Sequence, residues 1–215
     1  MARPSAASTL FILAGVNGAG KSSIGGANLR SRGYDYFNPD EVARGYREKE
    51  SGLSQADANG RAWLAGKLLL EKAILNRTNF VLESTLGANT IPNLLLEAAQ
   101  SGILVHIWYA GLSSPELHIA RVAARVRAGG HPIPEADIRR RYDKSRENLI
   151  GLMPCLAELH VYDNSAEWDM RKSENPPPAR LVLHMEEGKI LGPTNLAQTP
   201  AWAKPIVAAA MKMAN

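Results

Sequence analysis

The chemistry that this chain can do is concentrated first in Gly15-Val16-Asn17-Gly18-Ala19-Gly20-Lys21-Ser22, which fits the pattern G-x-x-x-x-G-K-[ST]. Glycines at these spacings let a backbone wrap around phosphate and turn several N–H groups inward. A helix starting at the end of the loop adds the positive end of its dipole. Lys21 is placed to reach the β- and γ-phosphates of a nucleotide, and the Ser22 hydroxyl to hold Mg²⁺. Asn17, Gly18, Ala19, Gly20, Lys21, Ser22 and Ser23 are therefore the candidate nucleotide contacts, with Ser22 the metal ligand.

Three further sets of residues could act on a bound phosphate. Asn38-Pro39-Asp40 follows a short apolar run, and Asp40 returns to the same sheet edge as Lys21. A carboxylate there can take the proton of a hydroxyl attacking a γ-phosphate, or it can simply stabilise the start of a helix. In Glu83-Ser84-Thr85, the acid can bind a substrate hydroxyl or order a metal-bound water, and Thr85 can hydrogen-bond substrate. Arg121 and Arg125 lie one helical turn apart on one face, suited to charge on a transferring phosphoryl group. Past Gly129-Gly130-His131 comes a second basic set, Arg139-Arg140-Arg141, so 121–147 reads as a helical lid over the nucleotide. His131 itself reads first as a turn residue. Asn164, in Asp163-Asn164-Ser165, falls where a base would sit or in a plain turn.

The elements that must position these groups alternate. Strands are expected at 9–14, 34–37, 80–83, 103–109 and 159–162. Helices are expected at 22–30, from Pro39 onward, and at 55–75, 92–100, 115–128 and 135–152. In the long helix the apolar positions are Trp63, Leu64, Leu68, Leu69 and Ile74. Strands separated by helices predict an α/β fold: a P-loop NTPase core whose mainly parallel five-stranded sheet has helices on both faces. Ligands of such sheets bind beyond the carboxyl ends of the strands. The stretch Glu174-Asn175-Pro176-Pro177-Pro178 divides a core at 1–170 from an appendage at 171–215, made of a small hairpin around Glu187-Gly188 and a helix over 201–213.

Composition narrows the class. Of the 215 residues, 45% are hydrophobic and 21% charged, ordinary for a globular protein. One cysteine, Cys155, excludes an internal disulfide framework, and no apolar run is long enough to span a bilayer; both favour the cytoplasm. The net charge of +4 is local: 121–147 holds eight basic and four acidic residues, leaving seventeen of each sign elsewhere. Its only aromatic is Tyr142, which argues against stacking on single-stranded nucleic acid. The histidines other than His131 show no metal-ligand spacing, so no zinc is expected. An Asp-Glu strand end, an LSGGQ-like segment and an N-K-x-D are all missing, which favours a small-molecule kinase over an ABC-type ATPase or a regulatory GTPase.

In this ordered set the chain resembles the zeta-toxin-like P-loop kinases. The resemblance rests on G-V-N-G-A-G-K-S-S, N-P-D at 38–40, E-S-T at 83–85, R-V-A-A-R-V-R-A-G-G-H and I-R-R-R-Y at 138–142, and covers most of 8–165. It implies ATP and Mg²⁺ as cofactors and a UDP-amino sugar, chiefly UDP-N-acetylglucosamine, as the hydroxyl-bearing acceptor. It implies a small antitoxin as partner. Carried over, Lys21 and Ser22 handle phosphate and metal, Asp40 is the base, and Glu83 and Thr85 contact substrate. Arg125 is one lid arginine; the second is one of Arg139, Arg140 and Arg141, with Arg141 the candidate taken. Other acceptors (a nucleoside, a polynucleotide end, an antibiotic hydroxyl) and a non-catalytic nucleic-acid-binding module are the alternatives.

Overall fold

The computed structural model describes residues 8–26, 36–166 and 177–214. Seven strands form one sheet in the order β2-β3-β1-β4-β5-β6-β7. They are β1 (Thr9–Ala14), β2 (Tyr36–Phe37), β3 (Phe80–Ser84), β4 (Leu104–Gly111), β5 (Glu158–Asp163), β6 (Arg180–Glu186) and β7 (Lys189–Gly192). The first five pair in parallel, with Leu13 opposite Glu83 and Ala14 opposite both Ser84 and Tyr109. Near-continuous burial of β1 and β3 is what a strand covered on both faces requires.

The five-strand expectation falls short by the C-terminal hairpin, which continues the sheet instead of standing apart from it. β6 pairs antiparallel with β5, and β7 with β6. Without β6, the last parallel strand would leave a row of backbone N–H and C=O groups unpaired.

Among the described residues six α-helices flank the sheet: α1 (Pro39–Lys49), α2 (Gln55–Asn76), α3 (Thr90–Gln100), α4 (Pro115–Arg127), α5 (Glu135–Leu152) and α6 (Lys204–Ala214). Side chains just ahead of the first turn set three of the starts. Asn38 accepts from the Asp40 and Glu41 amides at 2.9 and 3.4 Å, Ser54 caps α2 and Ser114 caps α4. After the glycine loop, Ser22–Gly26 forms a short helical turn. The rest of the helix expected at 22–30, the start of the strand expected at 34–37 and residues 174–176 of the proline-rich stretch lie outside the described residues.

The apolar positions that mark α2 in the sequence are mostly not the face it buries. Trp63, Leu64, Leu68 and Leu69 are 41–54% exposed, whereas Ala58, Ala62, Gly66, Leu70 and Ala73 are buried; of that apolar set only Ile74 packs on the core. The reason is steric. Gly66 lies so close to the Phe37 ring that a Cβ would stand 2.7 Å from Cε1. A helix this near the sheet and α1 presents its small residues inward, spaced three and four apart on one face.

The C-terminal residues belong to the same core. Trp202 is 4% exposed, its ring 6.3 Å from that of Tyr109. Its indole N–H donates to Asp163 Oδ1 at 3.1 Å. Gly111 makes room for it, since a Cβ there would lie 2.2 Å from the indole. Trp202→Ala removes a buried aromatic and leaves a cavity, so it should lower unfolding free energy by about 3–5 kcal/mol in urea denaturation. A loss under about 1 kcal/mol would show that the tail is not part of the cooperative core.

Candidate active site

The glycine loop leaves β1 by a close approach that only glycine allows. Gly15 has φ +134°, and a Cβ would fall 2.2 Å from the Ala110 carbonyl oxygen. Gly20, at φ +84°, faces the Asn164 amide, where a Cβ would lie 2.4 Å from Nδ2.

Three side chains from other elements hold the loop. Asn164 donates from Nδ2 to the Ala19 carbonyl at 2.9 Å. Arg141 on α5 donates to Asn17 Oδ1 at 2.8 Å. His118 on α4 meets the Asn17 carbonyl through Nδ1 at 2.9 Å. A carbonyl only accepts, so Nδ1 carries the proton. Burial pushes the His118 pKa down to about 4, so the ring is neutral at ordinary pH.

Lys21 sits at the centre of the cleft. Its Nζ donates to the Gly15 carbonyl at 2.9 Å. Burial lowers its pKa, while the Glu83 and Asp40 carboxylates pull the other way. Ser22 Oγ donates to Glu83 Oε1 at 2.7 Å, and the Tyr36 hydroxyl donates to the same oxygen. A serine hydroxyl beside a carboxylate, next to a phosphate cradle, is an oxygen donor set that fits Mg²⁺. Of the two readings of Glu83, this geometry favours the metal side.

Asp40, at the first turn of α1, is 43% exposed and is held from α4. Arg125 Nη1 lies 3.1 Å from Oδ2, and His131 Nε2 lies 3.7 Å from Oδ1. Burial lowers the His131 pKa, opposed by the Asp40 charge. The two arginines of α4 diverge: Arg121 donates to the Ala166 carbonyl at 3.2 Å, past the end of β5. Both still line the larger cleft. Of the three consecutive arginines on α5, Arg139 forms an exposed pair with Glu116 and Arg140 pairs with Asp137; Arg141 alone reaches the glycine loop. Thr85 Oγ1 accepts from the Gly87 amide at 3.3 Å and lines the smaller cavity.

Two cavities meet at this point. A cleft of about 930 Å³ runs past Gly18, Gly20, Ser22, Ser23, Arg121 and Arg125 to the 128–132 connection. A pocket of about 220 Å³ lies between the end of β3 and α2, lined by Asn59, Trp63, Lys67, Thr85 and Arg141. Lys21, Asn38, Asp40 and Glu83 border both. Sequence reasoning missed His118, Tyr36, Asn59, Trp63 and Lys67. His118 carried a signal, being three and seven residues before Arg121 and Arg125 on one helix face. Trp63 and Lys67 carried none, because their helix looked like a core helix.

Comparison with known proteins agrees with this architecture. Residues 10–147 match the family model AAA_33, described as an AAA domain, and the chain belongs to that family. An uncharacterized protein of Haemophilus influenzae is 35% identical over 132 residues, which are 60% of this chain and 88% of that protein. Among solved structures, the AvrRxo1-ORF1:-ORF2 complex with ATP superposes with TM-score 0.67 at 16% identity. That alignment covers 96% of this chain, which spans only 64% of the other chain's length. The PezAT chromosomal toxin–antitoxin system of Streptococcus pneumoniae gives TM-score 0.53 at 15% identity, covering 81% of this chain and 75% of that one. The fold is thus the α/β P-loop kinase fold. Among the described residues no helix is long and apolar enough to cross a membrane.

The neutral His118 makes stability depend on pH with a defined sign. Below pH about 6.5 the unfolded chain takes up a proton that the folded ring refuses until pH about 4. Stability contributed by this group is therefore complete above pH 6.5 and is lost as pH falls toward 4, by up to about 3 kcal/mol. In His118→Asn the fall between pH 6.5 and 4, followed by urea denaturation, should become shallower by about that amount. An unchanged slope would remove His118 as its source.

Proposed function

We propose that this AAA-domain chain is an ATP-dependent small-molecule kinase that transfers the γ-phosphate to an acceptor hydroxyl. One observation carries the reading: the phosphate cleft and the smaller pocket share Lys21 and Asp40 as a common wall. A transferring phosphoryl group needs its donor and acceptor on opposite sides of one point, with cations around it and a base on the acceptor side. The glycine loop offers the donor side, the pocket the acceptor side.

In this reading Asp40 accepts the hydroxyl proton. The ion pair with Arg125 keeps that carboxylate engaged until a triphosphate enters. A γ-phosphate then competes for the guanidinium, and as Arg125 turns to it, Asp40 becomes free to act as base. Lys21 exchanges the Gly15 carbonyl for phosphate oxygens in the same way. Arg141 neutralises charge from the α5 side, and Arg121 holds the nucleotide toward the end of β5, where Asn164 braces the loop. Ser22, backed by Glu83, would hold Mg²⁺, which neutralises charge on the β- and γ-oxygens when bound. The connection 128–134, with Gly129 and Gly130, is the part of the 121–147 lid free to close; α4 and α5 themselves are anchored by buried Val122, Ile138, Ser145 and Leu149. We retain 1–170 as the catalytic core and 171–215 as a segment that completes its sheet and packing.

A UDP-amino sugar is the favoured acceptor, as the zeta-toxin resemblance implies. The pocket is small by the standard of ligand sites. It suits a single sugar ring set against Trp63, with Asn59, Lys67 and Thr85 to read its hydroxyls and the diphosphate extending outward. The AvrRxo1-ORF1:-ORF2 complex and the PezAT system support a small protein partner of antitoxin type, and the single cysteine supports a cytoplasmic setting.

The test is phosphoryl transfer from ATP with Mg²⁺ to a panel of UDP-sugars, other sugars and nucleosides, read by product mass spectrometry. Asp40→Asn should lower kcat by about 10²–10⁴-fold while ATP binding in calorimetry persists. Lys21→Ala should lower both turnover and ATP affinity. Full turnover by Asp40→Asn would remove that residue as base. No phosphorylated product with any acceptor would remove the kinase reading.

A further inference from the structure

Away from the cleft, the sheet gathers imidazoles around a single carboxylate. We propose that Glu158, His160 and His184 form a site for a borderline divalent metal ion of the zinc class, supported from behind by His106. Nothing in the phosphoryl-transfer reading uses these residues. They sit toward the start of β5, at the opposite end of that strand from Asn164 and the glycine loop.

The register of three strands builds the cluster. His160 and His184 are directly opposed across the antiparallel β5–β6 pair, and His106 and Glu158 across the parallel β4–β5 pair. Glu158 and His160 are two residues apart on one strand and so share a face, while Leu159 and Val161 between and beyond them point into the main core. A register shift falls between His184 and Met185 where β6 meets β7, the kind of irregularity that re-aims a side chain. This is why no spacing in the sequence announced a metal site: Glu158 and His160 stand on β5, but His184 on β6 and the supporting His106 on β4 lie more than twenty and fifty residues away along the chain.

The donor geometry fits. Tetrahedral Zn²⁺ with bonds of about 2.0–2.2 Å sets its ligand atoms about 3.3–3.5 Å apart. Glu158 Oε1 lies 3.6 Å from His160 Nδ1 and 3.5 Å from His184 Nε2. One donor atom from each of the three residues lies within 4.8 Å of the others. Both of those ring nitrogens are buried and without a hydrogen-bond partner, which is costly for a polar atom unless something else fills the position. The other carboxylate oxygen, Oε2, is 2.7 Å from His106 Nδ1. That contact fixes the orientation of the carboxylate, as a second-layer partner does around zinc. The rings of His160 and His184 stack at 4.0 Å with their planes 23° apart, so ligation of one ion by both nitrogens requires one ring to turn about its χ2, a soft torsion. Two imidazoles and one carboxylate suit Zn²⁺, Co²⁺ or Ni²⁺ over Mg²⁺, which prefers oxygen donors, so this site and the Ser22 site would not compete for one ion. A metal here bolts β6 to β5, joining the C-terminal hairpin to the parallel core.

The test uses the tag-free full chain, stripped with EDTA and titrated calorimetrically with Zn²⁺ in the presence of excess Mg²⁺. One Zn²⁺ per chain should bind, and saturation at a hundredfold over Kd should raise Tm by about 5–10 °C. Co²⁺ in place of Zn²⁺ should give the intense visible absorption of a tetrahedral centre. His160→Gln, His184→Gln and Glu158→Gln should each weaken Zn²⁺ binding by at least about 100-fold, and His106→Gln by about 10–100-fold. Should a variant fail to fold in EDTA, the X-ray absorption spectrum of the zinc-loaded wild-type chain decides: two imidazole nitrogens on the metal support the site, and an all-oxygen shell overturns it. No stoichiometric binding by the wild-type chain, or binding that survives unchanged in His160→Gln and His184→Gln, also overturns it. Kinase turnover is not among the readouts, so this proposal and the proposed function stand or fall separately.

Discussion

The hydrogen bond from Ser22 to Glu83 joins the ends of two neighbouring parallel strands, and most of the candidate site depends on the pairing that permits it. β1 and β3 lie side by side with Leu13 opposite Glu83, so the loop that leaves β1 emerges beside the residues that end β3. Side chains alternate along a strand, and a slip of one residue in this pairing would change the residue presented at the Glu83 position. Leu10, Ile12, Phe80 and Leu82 pack in one buried cluster and Leu13 and Val81 in another, so a slip would break the packing on both faces of the sheet. Core packing and site geometry are therefore fixed by the same register. The separate β2–β3 pairing, with Tyr36 opposite Val81, brings the Tyr36 hydroxyl to the Glu83 carboxylate.

Charge in the cleft is arranged in pairs that can change partners. Lys21 rests on a backbone carbonyl and feels two carboxylates; Asp40 rests on Arg125. Each contact satisfies a polar group in a partly buried cleft, where an unpaired charge would be costly. A phosphate oxygen would give Lys21 a charge-assisted hydrogen bond that the neutral Gly15 carbonyl does not, and would compete with the Asp40 carboxylate for Arg125. The loop backbone, by contrast, has little freedom. Asn164, Arg141 and His118 hold it from three elements, and Gly15 and Gly20 are packed where no Cβ fits. A rigid cradle with exchangeable counter-ions is what preorganised stabilisation of transferring charge requires.

Much of this was legible in the sequence because the informative features are local. The glycine loop, the helix start at Pro39-Asp40 and the β–α alternation each follow from residues near one another in the chain. What could not be read depends on distant strands and on packing depth. Arg121 and Arg125 share a face by spacing, yet one reaches the end of β5 and the other reaches α1, because the helix crosses between two elements that the spacing does not encode. The hairpin at 180–192 was visible as a hairpin, but its pairing to β5 was not, since nothing in its own sequence names the partner. The imidazole cluster is the extreme case: its members lie at 106, 158, 160 and 184, and only the strand order brings them together.

The buried face of α2 explains the position of the smaller pocket. A helix with Trp63, Leu64, Leu68 and Leu69 should by hydropathy turn those residues inward, but the small residues Ala58, Ala62, Gly66 and Ala73 let the helix approach β2 and α1 more closely than large side chains would allow. Gly66 lines the pocket itself, so the depth of the pocket and the closeness of the helix are set by one absent side chain. Trp63 and Lys67, placed three residues before and one after, then stand on the rim above Glu83 and Thr85. An indole left 46% exposed beside a pocket is a surface that a bound ring can cover. In the proposed kinase reading Gly66 does for the acceptor side what Gly15 and Gly20 do for the donor side: an absent Cβ leaves room, and the larger side chains nearby are left to contact a bound ring.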